Sequence, residues 1–208
     1  LIRFDLLPSR TEAQAAPVLQ DEALHTALAH AQASTRRAAV RELHAHPDGA
    51  ALLRAQLLRE DDASVREAIV SALIALAARP DDGALETLIA CLRSDDAELR
   101  NRAIEALGQL PEPVARVVPA LLRDADADVR IFAVNVLALL PHADVELWLI
   151  ELIERESHVN VCGAAVDVLS ELGTQACCAP LQRLRARFAD EPFMQFAIDL
   201  ALRRATSL

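Results

Sequence analysis

Polar and apolar positions alternate along this chain in a sentence that recurs. It reads "LLREDDASVREAIVSAL" at 57–73, "CLRSDDAELRNRAIEAL" at 91–107 and "LLRDADADVRIFAVNVL" at 121–137. Each copy has an apolar pair, an Arg, an acidic turn, an apolar anchor, a second Arg and an apolar stripe. With the residue before the second Arg as reference, the anchors are Thr35, Val65, Leu99, Val129, Val161 and Met194. They are 30, 34, 30, 32 and 33 residues apart. The stripe read after each anchor is apolar at +4, +5 and +8 and small or apolar at +7. Spacing of three and four residues marks an amphipathic helix.

A second helical stretch precedes each anchor, as in "GALETLIACLR" and "VELWLIELIER". Each unit is therefore helix, tight turn, helix. Pro80, Pro111 and Pro141 stand at the joins, where a missing N–H is harmless. Asp62, Asp96 and Asp126 sit three residues before their anchors, placed to accept from the free N–H groups of the second helix. One hairpin cannot bury its stripe alone, whereas a stack can. The pattern predicts an all-α chain, an α-solenoid or superhelix of about six stacked antiparallel helix hairpins. Residues 18–208 form that single domain, and 1–17 are an extension. "LIRFDLLPSR" has no place in the repeat and reads as a cap on the first hairpin or a docking peptide.

The acidic run at Asp124, Asp126 and Asp128 resembles the start of a calcium loop. Such a loop needs Gly at position 6 and Glu at position 12. Here those positions hold Val129 and Asn135, so the run reads as a capped turn.

Composition agrees with helices. Of 208 residues 53% are hydrophobic, with only 5 Gly and no Tyr, and Ala and Leu dominate. The net charge of −10 argues against nucleic acid as a partner, because a phosphate backbone calls for a basic face. All 21 basic residues are Arg, which excludes lysine-nucleophile chemistry and fits a GC-rich bacterial genome. No apolar stretch is long enough to span a membrane. The 4 Cys are too few for a disulfide framework, and the chain reads as cytoplasmic.

The core "LRDADADVRIFAVNVL" resembles a HEAT repeat of the bacterial type first associated with phycobilisome lyases. The resemblance covers roughly residues 18–205. It implies an α-solenoid that binds proteins, and ladders between neighbouring repeats formed by the turn Asp and the Arg after the anchor. Carried over here, these ladders draw on Asp62, Asp96 and Asp126 with Arg66, Arg100 and Arg130. The fifth copy departs, with His158 and Cys162 in place of Asp and Arg, which marks a kink or a specialised local site. Paired His-Glu dipeptides of the di-iron branch are missing, and the acidic balance disfavours the DNA-glycosylase branch.

No catalytic, cofactor or metal site is expected. His158 and Cys162 share a helix face, but Cys177 and Cys178 follow the far end of that helix. His25, His30, His44 and His46 lack metal-ligand spacing. No G-x-S-x-G or Gly-rich phosphate loop is present. In the resembled family the second helices line the concave face. Their outward positions are mostly polar or small, as at Arg102, Asn135 and Asp167. Ile131, Phe132, Phe196 and Leu200 break that habit and suggest an interface core with a polar rim, while Phe132 reads equally as core tucked between repeats. The reading is a non-catalytic scaffold or adaptor holding another protein on that face. The alternative is a maturation or cofactor-handling factor, lyase-like or chaperone-like.

Overall fold

The computed structural model describes residues 21–79 and 83–206. The extension at 1–17 and Pro80 lie outside them. The described chain is all-α, an α-solenoid without strands, with twelve helices arranged as six hairpins. The described residues cluster into two compact units that divide between Ala75 and Leu76. The first unit holds α1 (21–28), α2 (Ala33–Glu42), α3 (Gly49–Leu57) and most of α4 (Ala63–Ala77). The second holds α5 (Ala84–Cys91) with α6 (Ala97–Gly108), α7 (Pro111–Leu121) with α8 (Ala127–Leu139), α9 (Val145–Arg155) with α10 (Val159–Leu172), and α11 (Cys178–Arg187) with α12 (Pro192–Ala205).

Local chemistry sets the helix ends. Asp62 Oδ1 accepts from the amides of Ser64 at 2.9 Å and Val65 at 3.2 Å. Asp96 Oδ1 accepts from Glu98 N at 2.9 Å, and Asp126 Oδ1 from Asp128 N at 2.9 Å. Each satisfies donors that the first helical turn leaves open. Pro111 and Pro192 open α7 and α12, where no intrahelical N–H is required. Leu140 is extended (φ −85°, ψ 116°), the conformation favoured before Pro, and α8 stops there. Gly83 enters α5 with φ 75°, a left-handed conformation that glycine adopts without strain.

In the second unit the second helices pack in chain order, α6 on α8, α8 on α10 and α10 on α12. The first helices form the other layer, with α9 against α11. The core lies between the layers and is filled by the predicted stripe. Ala103 and Leu107 on α6, Val134 and Leu137 on α8, and Ala165 and Leu169 on α10 are all buried. From across the core Leu88, Leu149 and Leu152 meet them, each fully buried. Every such side chain contributes roughly 1.5–3 kcal/mol relative to exposure. Gly108 lets α6 and α8 approach at their C-terminal ends, since a Cβ there would lie 2.7 Å from Leu139 Cβ.

The stripe breaks in the sixth copy. Its +5 position is Asp199, which pairs with Arg185 at 3.4 Å. The Asp199 side chain is 38% exposed, and a charged pair suits such a position better than a leucine would.

Candidate protein-binding face and the arginine rungs

The Arg after each anchor has a fixed task. Arg36 Nη1 donates to His30 O at 2.8 Å, and Arg66 Nε to Glu60 O at 2.6 Å. Arg100 Nη1 reaches Ser94 O at 2.7 Å, and Arg130 Nη1 reaches Asp124 O at 2.8 Å. The acceptor is always the carbonyl six residues back, in the hairpin loop, where no helical N–H is available to it. The same residue six back also closes the turn through its side chain. Glu60 Oε1 accepts from Asp62 N at 3.0 Å, Ser94 Oγ from Asp96 N at 3.2 Å, and Asp124 Oδ1 from Asp126 N at 3.0 Å.

Glu60, and Glu156 at the same register in the fifth copy, also form rungs to the anchor arginine of the preceding copy, while Asp124 pairs with Arg93 of the copy before it. Glu60 takes both Arg36 Nε at 2.8 Å and Arg36 Nη2 at 2.7 Å, and Glu156 takes Arg130 Nε at 2.7 Å and Nη2 at 3.2 Å. Both carboxylates are buried, at 3% and 9% exposure. Two-pronged Arg–carboxylate contacts are the strong kind of ion pair. The Arg36 hydrogen bonds hold the Glu60 carboxyl down at about 2 against the opposing effect of burial. For Glu156, burial pushes the carboxyl up, but the Arg130 hydrogen bonds and the amides of His158 and Ser157 outweigh it and leave it below its ordinary value.

The fifth copy is built differently. Cys162 is fully buried, and its Sγ lies 3.5 Å from Glu156 O, the carbonyl that an Arg would take. That carbonyl is instead served by Arg187 from the end of α11, at 2.6 Å. The same guanidinium donates to Ile153 O at 2.7 Å and to Glu154 O at 2.8 Å. Burial pushes the Cys162 thiol up to about 11, so it is no reactive thiolate. His158 makes no side-chain cap, and Glu156 supplies the amide acceptor for α10 at 2.8 Å. Among the described residues no three of His, Cys, Asp or Glu gather as a metal site requires.

The outward positions of the second helices differ in exposure. Phe196 on α12 is 64% exposed, Leu200 half-buried, and Asn135 and Asp167 exposed. Ile131 and Phe132 on α8 are half-buried. Phe132 lies beneath the Arg100 guanidinium, 4.8 Å from cation to ring centroid, an arrangement that favours both groups. Arg102 is held by Glu98 one turn earlier, at 3.1 Å. Sequence reasoning passed over Phe193, which is 67% exposed and stands one turn before Phe196. Its i, i+3 spacing to Phe196 was the available signal. It also passed over Glu60, Glu156 and Arg187. A recurring polar residue six before each Arg was the clue to the first two, while nothing in the pattern pointed to Arg187.

The model for HEAT repeats matches residues 21–108 and 114–199. The chain belongs to the HEAT-repeat family. These HEAT repeats are also similar to a crystal structure of an engineered protein, with 21% identity, a TM-score of 0.43, and 89% of this chain and 96% of that one covered. A designed armadillo repeat protein gives 19% identity and a TM-score of 0.42, over 88% of this chain and 98% of its own. No curated protein matches the chain. The fold commonly mediates protein interactions. None of the described helices is long and apolar enough to cross a membrane.

Proposed function

We propose that this HEAT-repeat chain is a non-catalytic scaffold or adaptor that holds a partner protein on the face formed by its second helices, the concave face of the solenoid. The exposed aromatic pair Phe193 and Phe196 on α12 carries the reading. With Leu200 it makes an apolar stripe along one side of a helix whose other side is already packed on α10. Large aromatic side chains in a polar setting are the usual anchors of protein interfaces. A groove pre-formed by stacked helices also loses little freedom when it binds. The cysteines stand as free thiols, which suits a reducing cytoplasm of the kind the composition suggests.

The test is capture of a stoichiometric partner from an extract of the source organism with the wild-type chain and with Phe132→Glu combined with Phe196→Glu. The variant should keep its helical circular dichroism and lose the partner. Unchanged capture would remove this face from consideration.

A further inference from the structure

On this face of the second unit α10 lies between α8 and α12. The half-buried Ile131 and Phe132, the latter beneath Arg100, stand on α8 and the exposed Phe193 and Phe196 on α12, so small residues on α10 would leave a shallow trough between them. Between them α10 carries only Gly163 and Ala164 at the matching register. A Cβ at Gly163 would stand 3.8 Å from the Phe193 ring, so the floor abuts the aromatic wall. Packed helices are about 8–10 Å apart, which sets α8 and α12 roughly 16–20 Å from each other. That span admits one more helix, about 10–12 Å across with its side chains.

The charges along the trough are unequal. Asp167 and Glu171 lie one turn apart on α10, both exposed, and neither has an ion pair among the described residues. Nearby acids are already engaged, Glu98 by Arg102 and Asp199 by Arg185. Arg204, the cation beside the end of α10, donates to Ser170 O at 3.3 Å rather than to either acid. Although Asp167 is exposed, partial desolvation of its carboxyl and the neighbouring Glu171 raise it above its ordinary value, and a cation placed beside it would oppose that shift. The chain as a whole carries −10, which draws cationic ligands toward it.

Resting on the reading above, we propose that the partner presents a basic amphipathic helix to this trough, its apolar side chains against Phe132 and Phe196 and its arginines or lysines against Asp167 and Glu171. Apolar anchors at helical spacing would supply affinity, and the two acids would select the sign of the flanking charge.

The experiment uses the full chain and labelled helical peptides of about 18 residues, roughly five turns. All share one leucine stripe and carry Arg, Gln or Glu on its flanks. Affinity is read by fluorescence anisotropy at physiological salt. The Arg peptide should bind at least ~10-fold tighter than the Gln peptide, and the Glu peptide weakest. Asp167→Asn with Glu171→Gln should erase that order, Phe196→Ala should weaken the Arg and Gln peptides alike, and Asp95→Asn, at an exposed acid in the loop between α5 and α6, should change nothing.

Equal binding of the three peptides, or an Asp95→Asn effect as large as that of the trough acids, would overturn the proposal. So would a dimer that Phe196→Ala dissolves, because a second copy would then be the occupant. Tighter binding of a peptide of residues 1–17 would overturn it too, in favour of the chain's own N-terminal segment. If no peptide binds but the captured partner is still lost from the Phe132, Phe196 variant, the proposal fails and the adaptor reading stands. If capture is also unaffected, both fail.

Discussion

Arg130 on α8 and Cys162 on α10 occupy the same register in successive copies. Arg130 serves the loop carbonyl of its own hairpin and reaches forward to Glu156 of the next. Cys162 offers that carbonyl only a weak thiol donor at 3.5 Å and reaches no acid of the next hairpin, and Arg187 arrives from the following hairpin to serve Glu156 O at 2.6 Å. Glu156 therefore stands in both arrangements, with its carboxylate on Arg130 and its carbonyl on Arg187. What the fold demands is a side-chain donor at each hairpin loop, an arginine in most and the neutral Gln195 on Phe188 O in the sixth, since a buried carbonyl without a donor costs about 1–3 kcal/mol. Which residue supplies it is free to change.

The largest break in this comparison is Glu156→Ala. It leaves Arg130 half-buried without its acid and removes the acceptor for two amides at the start of α10. A loss of about 3–5 kcal/mol is expected in urea unfolding, with Glu156→Gln milder because it keeps an acceptor. A loss under 1 kcal/mol for the alanine variant, well below the range for a broken buried pair, would mean the rung contributes little.

Arg187→Ala comes next, at about 2–3 kcal/mol, for three carbonyls that lose a charged donor. Hydrogen exchange should speed up at the end of α9 and leave α6 unchanged. A uniform change along the chain would show that the borrowed rung has no local role.

The first unit offers the same rung at Arg36 and Glu60. The Glu60 carboxyl is held near 2, below its ordinary 4.5. A depressed carboxylate stabilises the fold fully above its unfolded value, and that stability is lost as pH falls from about 4.5 toward 2. The loss should be on the order of 2 kcal/mol after allowance for solvent screening. Glu60→Gln should flatten this stretch of the acid-unfolding curve, and an unchanged slope would refute the assignment.

Cys162→Ser tests the borrowed arrangement most gently. The hydroxyl can still point at Glu156 O, and Arg187 already serves that carbonyl, so a change of about 1 kcal/mol or less is expected. A larger cost would mean that the thiol's packing, not Arg187, holds this loop.

Much of the architecture was legible beforehand. The apolar positions at +4, +5, +7 and +8 announced the helices and their buried faces, and the Asp three before the anchor announced the turns. These signals are local and set by helical periodicity and open amides. The proposed binding face was only partly legible. Outward register located Phe196 and Asp167, but Phe193 falls outside the register that works for α6, α8 and α10. Phe132 was equally readable as core or surface, and its place beneath Arg100 became visible only with α6 laid beside α8.

By itself the sequence determined the helices, their caps and the need to stack, because each follows from contacts within a few residues and from an apolar stripe that one hairpin cannot cover. Tertiary structure decided who serves whom across hairpins. Glu60 and Glu156 became rung acids, Arg187 replaced the arginine missing at Cys162, and Asp167 and Glu171 were left without a cation among the described residues. Those outcomes depend on side chains 24–34 residues apart meeting at distances near 3 Å, and periodicity along the chain carries no record of which long side chain arrives first.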